Sequence, residues 1–176
     1  MSNYRRYRVT GGSYFFTLTL YDRRKRLLVE YIEQLRSAMR FVQQKHPFHI
    51  DAMVVLPEHL HCILTLPVDD ADYSLRWRQI KAGFSRQLPK TEALSASRVK
   101  KQERGIWQRR FWEHAIRDDD DFSRHVDYIY FNPVKHGLVE RVIDWPYSSF
   151  HRDVQRGIYP ATWGTGYVEV LGDFGE

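Results

Sequence analysis

The chain has 176 residues, 43% hydrophobic and 28% charged, with a formal net charge of +5 at pH 7 and a pI near 9.3. That length suits one domain with a sizeable core. No apolar run approaches the ~20 residues of a membrane span, and the single cysteine, Cys62, excludes an internal disulfide framework and any multi-cysteine metal site. The excess of Lys and Arg suits nucleic acid or another anionic partner without choosing among them. "MSNYRRYRVTGG" at the amino terminus has no apolar stretch of the secretory kind, so a cytoplasmic protein is expected.

In chain order, Ser13–Asp22 ("SYFFTLTLYD") is rich in aromatic and β-branched residues and predicts a strand. Leu28, Ile32, Leu35, Met39 and Val42 recur at helical spacing, which predicts a helix over 28–44, ending before Pro47. His49–Pro57 predicts a second strand, and Pro57-Glu58 a tight turn into a third, "HLHCILTLP". A basic helix is expected over Tyr73–Leu88. The polar, basic stretch Pro89–Arg104 reads as a mobile loop. Arg110–Arg117 predicts a strand and Asp119–Phe131 a helix stopped by Pro133. The order β-α-β-β-α-β-α points to an α+β, ferredoxin-like fold: an antiparallel sheet with helices on one face, plus terminal extensions. Residues 1–176 are read as a single domain, with a carboxy-terminal extension from about Asp144 wrapped over it.

Two stretches carry chemistry. On the third strand His59, His61 and Ile63 share one face, with the two histidine Cα atoms about 6.5–7 Å apart. Two imidazoles so placed can converge on one divalent cation or one phosphate oxygen. An isolated His-x-His is more often a pair of half-exposed histidines, so the pattern needs a partner. The predicted helix over 119–131 offers one. Phe122, Val126 and Ile129 form its core stripe, and Asp121, His125, Tyr128 and Asn132 a second stripe rotated from it. Tyr128 and Asn132 are one turn apart, about 6 Å along the axis. Pro133 biases Asn132 out of the helical region, making it a helix-end residue. Tyr130 points elsewhere, and Asp118–Asp121 reads as a cap that complements the helix dipole.

"VVLPEHLHCILTLP", followed by "FWEHAIRDDDDFSRHVDYIYFNPVKHGLV" and "DWPYSSFH", resembles the single-tyrosine HUH transposases, and most closely the REP-associated tyrosine transposases. The resemblance covers most of the chain. It implies a strand-borne His pair, His59 and His61, with Asn132 as a third metal ligand and Tyr128 as the nucleophile. It also implies a divalent metal, Mg²⁺ or Mn²⁺, and metal-dependent cleavage and transfer of single-stranded DNA at REP-type hairpins through a 5′-phosphotyrosyl intermediate. Many relatives carry glutamine at the Asn132 position, and the shorter amide here changes its reach. His125, one turn before Tyr128, is a candidate for catalytic support.

DNA contacts are expected from Arg5, Arg6 and Arg8 in "YRRYR", which interleaves aromatic and cationic side chains, and from Arg78 and Lys81 on the basic helix. Trp107 and Trp112 read as core residues. A monomer is expected, since one chain holds all the named residues. Two other readings stay open: a DNA-hairpin-binding protein without catalysis, and a metal-dependent hydrolase using the His pair with His114.

Overall fold

The structure is a computed structural model and describes residues 8–92 and 94–165. Strand β1 (Ser13–Thr19) leads through α1 (Leu27–Glu30) and α2 (Ile32–Lys45) to β2 (His49–Val55) and β3 (His59–Thr65). Helices α3 (Tyr73–Gln87) and α4 (Ala96–Lys100) precede β4 (Trp112–Ala115) and the long α5 (Asp119–Lys135). A single 3₁₀ turn, Val142–Asp144, and α6 (Phe150–Gln155) follow.

The strands form one antiparallel sheet in the order β2-β3-β1-β4, so the expected α+β class and antiparallel topology are found. Alternation along each strand divides the core in two. Tyr14, Phe16 and Leu18 of β1 and Leu60, Cys62 and Leu64 of β3 face α2 and α3, against Leu35, Met39, Trp77 and Phe84. Phe15 and Ile63, with Ala52 and Val54, face the other way, against Val126 and Ile129 of α5 and then Trp145 and Phe150. The expectation of helices on one face thus describes α2 and α3, and α5 adds a layer on the opposite face. The reason is visible in β1 and β3, whose residues are buried on both sides.

Three boundaries differ from expectation. The first predicted helix breaks at Tyr31, whose backbone (φ −115°, ψ 39°) leaves the helical region between α1 and α2. Helix α5 runs through Pro133 to Lys135 rather than stopping before it. Proline removes one donor, yet the following turn closes regardless: the amides of His136 and Leu138 donate to the carbonyls of Asn132 and Pro133. Asn132 therefore lies inside the helix and is fully buried, not at a frayed end. Third, the stretch read as a mobile loop carries α4, and Arg104 anchors it by pairing with Glu92 and donating to the carbonyls of Ser85, Leu88 and Pro89.

After the 3₁₀ turn the chain lies along the β2 edge. Val55 donates to the Tyr147 carbonyl, Ser149 to that of Met53, and the Trp145 indole to the Val55 carbonyl at 3.0 Å. This covers an edge that would otherwise offer unpaired backbone groups. No helix among the described residues is long and apolar enough to cross a membrane.

Ile129 is fully buried where α5 meets the sheet. Ile129→Ala should lower stability by about 2–5 kcal/mol, read as a shift in the urea unfolding midpoint at unchanged slope.

Candidate functional site

The register of β1 against β3 builds the site. Thr19 stands opposite His59 and Thr17 opposite His61, on the face that α5 covers. Both histidines are buried, at 1% and 0% exposure, rather than half-exposed. Their rings meet edge to face with centroids 4.8 Å apart.

Each ring is held by a different partner. His59 Nδ1 donates to a Glu58 carboxylate oxygen at 3.0 Å, which fixes the tautomer that presents Nε2 as an acceptor. That Nε2 is buried and makes no hydrogen bond within the protein. Burial alone would raise the Glu58 carboxyl, but the hydrogen bond from His59, with the charge of Arg23, brings it below its ordinary value. His61 Nδ1 lies 2.8 Å from the Thr17 hydroxyl, so its Nε2 is the nitrogen turned to the site. A carboxylate or hydroxyl holding one ring nitrogen of a histidine is the arrangement that orients metal-binding imidazoles.

Helix α5 supplies the opposing wall. The Tyr128 ring stands 5.2 Å from the His61 ring, and the His136 ring 5.1 Å from that of His59. Residues 128, 132 and 136 are successive turns of one helical face. Asn132 therefore lies on the helix between two side chains that touch the two histidines, and it is fully buried. The ammonium of Lys135 lies 5.0 Å from the Tyr128 ring centroid. A donor set of two imidazoles and one amide fits a divalent cation.

Tyr130 points away, as its position on the helix predicts. Its hydroxyl donates to Asp153 at 2.5 Å, and burial, then that carboxylate, pushes its phenol well above the usual tyrosine range.

One turn before Tyr128, His125 is buried, not solvated, and its Nδ1 donates to the Asp121 carbonyl at 2.7 Å. The acidic run divides its work. Asp118 caps the helix by accepting from the Asp121 amide at 2.8 Å, while Asp121 itself is buried against His114 at 2.8 Å and Arg117 at 3.1 Å. Phe15 sits between the two histidine groups, 5.6 Å from the His61 ring and 4.8 Å from the His125 ring. His114 is thus committed to Asp121 and to stacking on His125 at 4.8 Å, and the structure does not bring it to the His59–His61 pair. His114, Asp121 and His125 place their ligand atoms within 4.8 Å of one another, but the Arg117 guanidinium already occupies the carboxylate.

The predicted DNA-contacting residues are distributed as follows. Arg8, Arg78 and Lys81 line a groove of about 890 Å³ between α3 and the segment 102–111, joined there by Arg86, Gln108 and Arg109. Lys81 donates to the Gln108 carbonyl at 2.6 Å. Arg5 and Arg6 lie outside the described residues. Trp107 is buried, as expected of a core residue; Trp112, on the edge strand β4, is not, being 49% exposed.

Sequence reading missed Glu58, Thr17, Lys135 and His136. Lys135 and His136 could have been found, since they fall seven and eight residues after Tyr128, two helical turns on. Thr17 could not, because it reaches His61 only through strand pairing.

Residues 8–130 match the transposase family described as IS200-like. A relative from Escherichia coli, the REP-associated tyrosine transposase, is 53% identical over 93% of this chain and 91% of its own. The chain belongs to the REP-associated tyrosine transposases of that family. A Haemophilus influenzae protein of the same family name is 54% identical over 93% of this chain and 94% of its own. A solved structure, of the REP-associated tyrosine transposase bound to a REP hairpin, superposes with a TM-score of 0.84 at 50% identity, covering 100% of this chain and 98% of that one. As an IS200-like transposase, the chain falls in a class of DNA-processing proteins whose sites take a divalent metal.

The buried His125 gives this transposase a pH signature. Burial, despite the bond to Asp121, holds its imidazole below the ordinary histidine value, so the unfolded chain binds that proton more readily. The resulting contribution to stability is present above pH ~6.5 and is lost as pH falls below it. Urea midpoints measured from pH 7.5 to 5 should decline, and less steeply in His125→Asn.

Proposed function

We propose that this protein is a metal-dependent endonuclease and strand transferase acting on single-stranded DNA at REP-type hairpins through a 5′-phosphotyrosyl intermediate. The observation that carries this reading is the single helical face of Tyr128, Asn132 and His136 laid against the buried His59–His61 pair. A protein that only bound hairpins would need neither a buried imidazole nitrogen without a protein partner nor a tyrosine beside it. The family's hairpin-bound relative supports the choice of DNA.

His59, His61 and Asn132 would hold the divalent ion, which when bound supplies Lewis acidity at the scissile phosphate. Glu58 fixes the His59 tautomer and Thr17 holds the His61 ring in place for that task. Tyr128 attacks the phosphorus through its hydroxyl oxygen, and the 3′-oxygen of the preceding nucleotide leaves and takes a proton. An unperturbed phenol, with pKa ~10, is almost wholly protonated at neutral pH. The Lys135 ammonium stands over the Tyr128 ring, 5.0 Å from its centroid. His125, with Nδ1 donating to the Asp121 carbonyl, supports the same helix face one turn before Tyr128. The tyrosyl phosphodiester conserves the energy of the broken bond, so a free 3′-hydroxyl rejoins it without a nucleotide cofactor.

Arg8, Arg78 and Lys81 in the α3 groove would grip the DNA backbone, with Arg5 and Arg6 adjoining in sequence. The nucleophile helix packs on the sheet of its own chain, which supports a monomer as the working unit. The hydrolase reading with His114 is disfavoured by that residue's pairing with Asp121.

With end-labelled hairpin DNA and Mn²⁺ or Mg²⁺, wild type should give a covalent adduct on a denaturing gel. Chelator or Tyr128→Phe should abolish it; hairpin binding without any adduct would support the non-catalytic reading. Glu58→Gln should weaken Mn²⁺ binding by about 10- to 100-fold in calorimetry, with the fold intact by circular dichroism.

A further inference from the structure

The segment 107–112 passes from one face of the sheet to the other. Trp107, Gln108, Arg109 and Phe111 line the basic groove beside α3, and Phe111 packs edge-on against Phe16 at 5.9 Å on that face. The next residue, Trp112, is the cross-strand partner of Thr17, so both project from the opposite face, the one α5 covers. Thr17 is in turn the partner of His61 and bonds its ring. Trp112 is thus two strands from His61, about 10 Å at the usual strand spacing.

The other tryptophans of the described residues are spent on packing: Trp77, Trp107 and Trp145 are buried and Trp163 is half-buried. Among exposed aromatics, Tyr21 is covered by the Arg98 guanidinium at 4.1 Å and Phe41 by the Lys45 ammonium at 4.4 Å. Trp112 leaves half of its surface to solvent between exposed Arg110 and the site. An indole in that place, one residue beyond the groove-lining Phe111 and on the face of the His pair, suits a flat apolar group carried on an anionic chain.

We propose that Trp112 is a stacking platform for one unpaired base of the DNA strand next to the scissile phosphate. The strand leaves the α3 groove, crosses the β4 edge over Trp112 and reaches the His59–His61 pair. This rests on the reading of that pair and Tyr128 as the cleavage site. Stacking needs only the π-face of a base, so the platform positions the strand and contributes little to sequence choice.

The test is a binding matrix by fluorescence anisotropy. Wild type, Trp112→Ala and Trp112→Phe would be titrated with a labelled hairpin bearing a single-stranded extension. A parallel set of oligonucleotides would carry one abasic site at each position of that extension. Trp112→Ala should bind the intact oligonucleotide about 10-fold more weakly, while Trp112→Phe keeps most of the affinity. One abasic position should weaken wild type by the same factor and leave Trp112→Ala unaffected. Equal affinity of Trp112→Ala and wild type, or abasic penalties identical in the two proteins at every position, would overturn the platform and leave the cleavage site standing. Failure of wild type to bind any hairpin would overturn the functional reading and the platform with it.

Discussion

Everything at the site depends on the antiparallel register that sets Thr17 between His61 on one side and Trp112 on the other. Because side chains alternate with a period of two, a one-residue slip of β3 would send both histidines into the apolar layer beneath α2 and α3. The register is fixed by burial on both faces: Leu60, Cys62 and Leu64 fill one layer while His59, His61 and Ile63 fill the other. Imidazole and apolar side chains thus hold each other in place, and Thr17 adds a direct hydrogen bond to His61.

The second requirement is a helix rigid enough to keep Tyr128 and Asn132 against that strand. Its start is secured by the Asp118 cap and by Asp121, whose carboxylate gathers His114 and Arg117. Burial alone would raise the Asp121 carboxyl; the bonds from Arg117 and His114 outweigh it and hold the group well below the usual carboxylate range. Its middle is held from outside by Tyr130 on Asp153 and Tyr159 on Asp127, at 2.5 Å each. Phe15 fills the space between the two histidine groups. The two buried tyrosines of this helix therefore have opposite surroundings. Burial and a facing carboxylate disfavour the Tyr130 phenolate, whereas Tyr128 has the Lys135 ammonium over its ring.

The charge distribution follows the same division of faces. The cationic groove lies on the α3 side and the His pair on the α5 side, so a strand occupying both must pass an edge of the sheet. The β2 edge is covered by residues 145–149, whereas β4 is short and outermost. A four-residue edge strand with exposed arginine beside it is a poor template for another β-strand, and a suitable rim for an anionic chain.

Much of this was legible in one dimension. Alternation in "HLHCIL" put His59 and His61 on one face, and helical spacing put Tyr128, Asn132 and His125 on another, because both periods are properties of the local backbone. Helix α5 outran its expected end because the turn around Pro133 is held by packing and by bonds from later residues, which no local propensity reports. Hence Asn132 is a buried helical residue and not a helix end. The sequence by itself determined the order of the four strands and the long helices, the His pair, the tyrosine face and the family to which they point. The tertiary structure alone decided that α5 covers the face opposite α2 and α3, that Glu58 and Thr17 orient the imidazoles, and that Trp112 stands in solvent while Trp107 does not. The physical reason is one of range: periodicity states which residues share a face, whereas what that face meets depends on contacts between residues far apart in the chain.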